Sequence, residues 1–210
     1  PQTLTVCAGC TAEPAALRFA DLQAALNQAT ARHIIPIGHG AYTGNFIVYR
    51  DLTLRHAGVD VSRLDAAQAI DVRAILQASS ASLLEQQQAL TLTQSGGLTG
   101  RVLTVHSFAP WGDTIAPARD VTVHMQDLTV RHGMSRMGGG IFNLGHLSLE
   151  RMTLNANVAV NAYGSDGAVA VQAKGGAIYN DGLLTIVRST LSGNQSEYLG
   201  GAIYNSTVIS

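Results

Sequence analysis

A chain of 210 residues with net charge −1 and only 13% charged residues carries no electrostatic footprint for nucleic acid or anionic lipid. It is not a disordered chain, because 46% of it is apolar and the apolar residues are patterned. No stretch approaches the roughly 18 apolar residues of a membrane-spanning helix, so a soluble chain without a transmembrane segment is expected. Gly, Ser, Thr, Asn and Gln stand where charge would be, which suits turns and stacked strands better than exposed helices. Lysine occurs once, at Lys174.

Pro1-Gln2 does not read as a natural start, and a removed signal peptide is one explanation. The two cysteines form Cys7-Ala-Gly-Cys10. Thr11 stands where haem attachment needs His, and no second cysteine pair exists for a zinc site. The following sequence lacks the strand–helix–strand pattern of a thioredoxin-like motif. Two readings remain: a small Cys7–Cys10 disulfide loop in an oxidising compartment, or two free thiols at a frayed terminus.

Phe19 to Thr30 places Leu22, Ala25, Leu26 and Ala29 on one helical face. A helix here would cap the first coil of a repeat stack, so residues 1–33 are expected to form an N-terminal cap. Strands are predicted at 34–37, 46–49 and 52–54. Residues 79–97, with three consecutive Gln, read as an insertion, and 101–107 returns to strand pattern.

The last third is repetitive. Gly138-Gly-Gly-Ile141-Phe142-Asn143 recurs as Gly175-Gly-Ala-Ile178-Tyr179-Asn180 and as Gly200-Gly-Ala-Ile203-Tyr204-Asn205. The spacings are 175 − 138 = 37 and 200 − 175 = 25 residues, so the first unit holds 37 − 25 = 12 extra residues. They fall within 158–174, which reads as a protruding loop. Between the motifs, Leu147, Leu149, Leu154 and Asn157 align with Leu184, Ile186, Leu191 and Asn194. An earlier coil is read with Val121 and Val123 opposite the first pair, and Leu128 opposite Leu154 and Leu191. Asp51-Leu-Thr-Leu-Arg-His56 echoes Asp127-Leu-Thr-Val-Arg-His132.

A period near 25 with short strands between Gly and Asn is not a helical array. It predicts an all-β fold, a right-handed single-stranded parallel β-helix (solenoid) over residues 34–210. Three strands per coil stack in parallel at about 4.8 Å. Ile141, Ile178 and Ile203 would form an inward ladder. Phe142, Tyr179 and Tyr204 would stack on the opposite face, and Asn143, Asn180 and Asn205 would bond to one another at a turn. The paired glycines let coils approach closely. The chain is expected to be one domain whose coils continue beyond 210, or whose final coil a partner completes.

These repeats, with Leu184-Thr-Ile-Val-Arg-Ser-Thr-Leu-Ser-Gly-Asn194, resemble secreted bacterial β-helix repeat proteins akin to autotransporter passengers and polymorphic outer-membrane proteins. The order Cys7-Ala-Gly-Cys10, Leu22-Gln-Ala-Ala-Leu26, Gly40-Ala-Tyr-Thr-Gly44, Asp51-Leu-Thr-Leu54 resembles that group's entry module. The resemblance covers 1–58 and 101–210, and it implies secretion or cell-surface display.

The chemistry weighs against an enzyme. A glycosidase needs carboxylates converging on one groove. Asp51 and Asp127 share a local context, but 127 − 51 = 76 residues place them about three coils apart at the repeat spacing. His124 reads in register with Glu150 and then Val187, too few ligands for a metal. No catalytic residue, metal ligand or cofactor is assigned. Phe142, Tyr179 and Tyr204 are candidates for glycan or partner contact, with a purely structural stack as the stronger reading. The leading expectation is a non-catalytic extracellular structural or adhesive scaffold. The alternatives are a polysaccharide lyase, hydrolase or glycan-binding module, and an accessory subunit docked through an open C-terminal coil.

Overall fold

A computed structural model describes residues 4–7, 10–57, 74–77 (backbone only), 100–105 and 121–206. The fold is all-β, and its large sheets are parallel. The first sheet aligns His33–Ile37, Leu52–His56, Thr122–Gln126, His146–Glu150 and Leu183–Val187, with Thr5–Val6 and Arg18–Phe19 at its near end. The second aligns Gly40–Thr43, Ala74–Gln77, Leu128–Arg131, Thr153–Asn155 and Thr190–Ser192. The third aligns Phe46–Val48, Leu103–Val105, Ile141–Asn143, Ile178–Asn180 and Ile203–Asn205. The chain visits first, second and third sheets in that order and then returns to the first. A fourth, short sheet of Met134–Ser135, Val158–Ala159 and Gln195–Ser196 lies between the second and third visits. Three strands per coil were expected; two-residue strands are too short to leave a period in the sequence.

Alternation along each strand builds the core. Ile35, Leu54, Met125 and Leu149 are in register across the first sheet, and all four are fully buried. Phe46, Leu103, Ile141 and Ile178 do the same in the third. Each such side chain contributes about 1.5–3 kcal/mol. A single strand has no interior of its own, so this burial exists only where successive parallel strands stack.

Left-handed residues stack at the corners. Asp127, Arg151 and Arg188 (φ 57, 51 and 49°) turn the chain out of the first sheet. His132, Ala156 and Gly193 (58, 52 and 61°) turn it out of the second, and Gly138, Gly175 and Gly200 (65, 70 and 64°) lead into the third. N–H groups at these turns keep bonding to the neighbouring strand, as in Asp127 N to Glu150 O at 3.1 Å and Arg151 N to Val187 O at 3.0 Å. Those bonds offset the roughly 1–2 kcal/mol that a non-glycine residue spends in this conformation.

The helix is Leu22–Gln28, shorter than the predicted 19–30. Phe19 belongs instead to a strand beside Thr5–Val6, and Asp21 Oδ1 accepts from Ala24 N at 2.6 Å to start the helix. Leu22, Ala25 and Leu26 are buried. Gln23 meets the backbone of Phe46–Val48, with Ile47 N donating to Oε1 at 2.9 Å and Nε2 donating to Ile47 O at 3.3 Å.

Several registers differ from the sequence reading. Val123 and Met125 lie opposite Leu147 and Leu149, and Val130 lies opposite Leu154, so the earlier coil is displaced by two residues. A two-residue slip keeps every apolar residue on its face, which is why Val121, Val123 and Met125 could not be told apart. Leu52–His56 lies in the first sheet and Leu128–Arg131 in the second, so their similar sequences are not equivalent positions. Val158–Ala159 is part of the stack, and the twelve extra residues fall between Ala159 and Lys174. They form an antiparallel hairpin of Ala162–Tyr163 with Val169–Val171. The 79–97 segment lies outside the described residues.

Candidate functional site

The three repeat motifs lie side by side. Ile141 pairs with Ile178 and Ile178 with Ile203. The first two are fully buried and Ile203, in the outermost described strand, is 37% exposed. Asn143 Nδ2 donates to Asn180 Oδ1, and Asn180 Nδ2 donates to Asn205 Oδ1, each at 2.6 Å. The same amides hold the turn that follows: Asn143 Nδ2 donates to Gly145 O and accepts from Gly145 N on Oδ1, each at 3.1 Å, while Asn180 donates to Gly182 O at 2.8 Å. A second ladder runs at the next corner. Gly133 N donates to Asn157 Oδ1 at 3.0 Å, and Asn157 Nδ2 donates to Asn194 Oδ1 at 2.9 Å.

Phe142, Tyr179 and Tyr204 stack with ring centroids 5.2 and 5.3 Å apart. Tyr179, in the middle, is only 8% exposed and has a ring on each side. Cations flank the column: Arg101 Cζ lies 4.5 Å from the Phe142 centroid, and Lys174 Nζ lies 4.9 Å from that of Tyr204. Arg101 occupies the register of Gly139, Gly176 and Gly201, and its side chain reaches the turn that precedes the next strand of the third sheet. There it donates to Gly138 O at 3.1 Å, Met137 O at 2.7 Å, Ser135 Oγ at 3.1 Å and Thr104 Oγ1 at 3.3 Å. Burial, and then the nearby charge of Arg136, push its pKa down to about 10. In the sequence Arg101 reads only as part of a strand, because its role depends on a turn 37 residues further along.

The hairpin at 162–171 and Arg136 enclose an open groove of about 670 Å³. Asn161, at the hairpin's base, is tied to the stack: its N–H donates to Glu197 Oε2 at 2.7 Å and its Oδ1 accepts from Ala173 N at 2.7 Å. Tyr163 and Val169 are 42% and 46% exposed.

The carboxylates have structural partners. Arg151 grips Asp127 with two bonds of 2.8 and 2.9 Å and also meets Glu150, which raises its pKa further above the ordinary value. Gln126 Nε2 donates to Glu150 Oε2 at 2.9 Å, and Thr122 N donates to Asp51 Oδ1 at 2.9 Å. Leu52–His56 pairs directly with Thr122–Gln126, so Asp51 and Asp127 sit on neighbouring strands rather than three coils apart. They lie at opposite strand ends, about five residues or roughly 17 Å from each other, and do not converge. His124 pairs with Ser148, while Glu150 faces Gln126, so the expected His124–Glu150 column does not exist. Among the described residues, no three His, Cys, Asp or Glu residues are grouped to hold a metal ion. No helix among them is long and apolar enough to cross a membrane. Cys7 and Cys10 are joined in a disulfide.

Residues 188–206 match the Chlamydia polymorphic membrane protein repeat. The match runs from the left-handed corner at Arg188 through Asn194 to the third Gly-Gly-Ala-Ile-Tyr-Asn unit, under a tenth of the chain. It therefore contains one member of each asparagine ladder and the last ring of the aromatic column. No curated protein and no solved structure matches the chain.

Proposed function

We propose that this chain is a non-catalytic, extracellular scaffold with an adhesive role, displayed on a cell surface, and built as one right-handed parallel β-helix domain with an N-terminal cap. The cyclic passage through three parallel sheets supports the coil, and crossovers between parallel strands are right-handed in nearly all proteins. The cap reading is supported by Gln23, which satisfies backbone groups of Ile47 that would otherwise lie at an open edge. The family name attached to residues 188–206 supports an outer-membrane or surface location.

One observation carries the scaffold reading: Asp51, Asp127, Glu150 and Glu197 each bond to backbone or side chains that hold neighbouring strands and corners together. Those acids secure coils instead of meeting in a groove as a glycosidase pair does. The Phe142–Tyr179–Tyr204 column is likewise a stabilising stack, because a sugar ring needs a free aromatic face and Tyr179 has none. Leu183, Leu199 and Ile203 are exposed at the far edge. Further coils, a protein partner or another copy of the chain would cover them.

Antibody labelling of intact source cells tests this reading. Labelling without permeabilisation is expected, together with no release of reducing or unsaturated sugars from polysaccharides by the purified chain. Signal confined to permeabilised cells would defeat surface display, and sugar release would establish an enzyme. The hairpin groove favours glycan binding over catalysis or an accessory-subunit role.

A further inference from the structure

We propose that the groove beneath the 162–171 hairpin binds an acidic carbohydrate, with the Arg136 guanidinium taking the sugar carboxylate and the Tyr163 ring lying against the sugar face. This extends the scaffold reading by giving it a ligand class. Surface labelling and sugar binding are separate measurements, so either can fail alone.

Charge complementarity comes first. Arg136 lines the groove, and among the described residues it has no ion-pair partner. Arg101 lies near it, buried, and bonds only to carbonyls and hydroxyls, so its charge is not neutralised by any described carboxylate. The proximity of the two guanidiniums is one cause of the lowered basicity of Arg101. Asp166 is the acid in the lining; its Oδ1 accepts from Ala168 N at 3.0 Å and holds the hairpin turn, and it makes no ion pair with Arg136. A planar carboxylate suits the guanidinium fork better than it suits a point charge.

Shape comes second. Tyr163 is 42% exposed, and among the described residues no ring stacks upon it, in contrast to Tyr179. A half-exposed tyrosine offers an apolar face for sugar C–H groups and a hydroxyl for their polar edge. Ser165 adds another polar contact, and the alanines of the hairpin leave room. The groove volume, about 670 Å³, lies within the roughly 300–1,000 Å³ range of small-molecule sites. The twelve added residues appear in this unit and not in the next, so the groove is a local addition to the repeat and not part of its stacking logic.

The test is calorimetric titration of the whole chain with oligogalacturonate and with a neutral oligosaccharide of equal length. Oligogalacturonate is expected to bind, more weakly as salt rises, while the neutral sugar gives no measurable heat. Arg136→Gln should weaken binding by about tenfold or more, and Arg136→Lys should recover part of the loss. Tyr163→Ala should weaken it by about fivefold. Arg188→Gln, at an exposed corner after the first sheet, should leave it unchanged. Circular dichroism and melting temperature establish that each variant folds. Absence of binding at millimolar oligogalacturonate overturns the proposal. So does a folded Arg136→Gln variant that binds like the parent, or a neutral sugar that binds equally well.

Discussion

The buried side-chain amide of Asn143 donates to Oδ1 of Asn180 at 2.6 Å, and Asn180 passes the pattern on by donating to Oδ1 of Asn205. Asn180 thus spends one oxygen lone pair on the strand before it and one N–H on the strand after it, whereas Asn143 Oδ1 accepts from Gly145 N. Asn180 also donates to Gly182 O, so a single side chain joins two coils and one turn. Asn180→Ala removes the acceptor of Asn143 Nδ2 and the donor to Asn205 Oδ1 and Gly182 O, at a position only 3% exposed. A loss of about 2–4 kcal/mol is expected, read as a lower urea midpoint. Asn180→Asp should be worse at neutral pH, because a carboxylate cannot donate to Asn205 or Gly182. Acidification should restore part of that loss by protonating it.

Gly139 is required by proximity. A Cβ there would lie 2.3 Å from Val158 O and 2.6 Å from Gly176 O, both backbone atoms that cannot step aside. Gly139→Ala is expected to cost about 3 kcal/mol or more. Gly167, at the hairpin turn, has open space around its missing Cβ and a φ of +76°. Gly167→Ala should cost only about 1 kcal/mol, from backbone strain alone. Melting temperatures of the two variants measure the difference, and equal losses would contradict the close approach of coils at Gly139.

His132 turns the corner after the second sheet, and burial followed by the charge of Arg131 lowers its pKa from the ordinary value near 6.5. The folded state thus binds the proton more weakly than the unfolded state. Its contribution is fully present above about pH 6.5, and it falls as the unfolded state takes up a proton below that, levelling off once the folded state is also protonated. His132→Asn keeps a residue that tolerates the left-handed turn and removes the titration. The drop in urea midpoint between pH 7.5 and pH 5 should be smaller in the variant than in the parent. An equal drop would assign the pH dependence to other groups.

The Cys7–Cys10 disulfide closes a very small loop. The chain-entropy relation gives at most about 2 kcal/mol for it. A Cys7→Ser, Cys10→Ser double variant should therefore still fold, with a modest loss that added reductant reproduces in the parent. Thiol titration of the unreduced, denatured protein should find no free sulfhydryl; two would restore the free-thiol reading of this terminus.

Much of the architecture was legible because it is written locally. Apolar residues two apart mark strands, and the Gly-Gly-Gly/Ala-Ile-Phe/Tyr-Asn units carry their own alignment. The spacings of 37 and 25 residues are those at which Asn143, Asn180 and Asn205 meet. The earlier coil lacked such an anchor. With Val121, Val123 and Met125 all apolar, a two-residue slip changed nothing that a pattern can detect. Asp51 and Asp127 lie at the ends of adjacent strands despite a separation of 127 − 51 = 76 positions for a related reason: the segment between these strands is far longer than the 25-residue repeat.

The amino-acid sequence by itself determined the strand period, the repeat and the residue types that recur at each step, because these depend on a chain's near neighbours. Only the tertiary structure decided which coil faces which, that Arg101 reaches the Phe142 ring, that Arg136 meets a hairpin groove, and that the acids spend themselves on strands and corners. Those relationships join residues up to 71 positions apart. They arise when parallel strands stack and bury the faces that no single strand can bury alone.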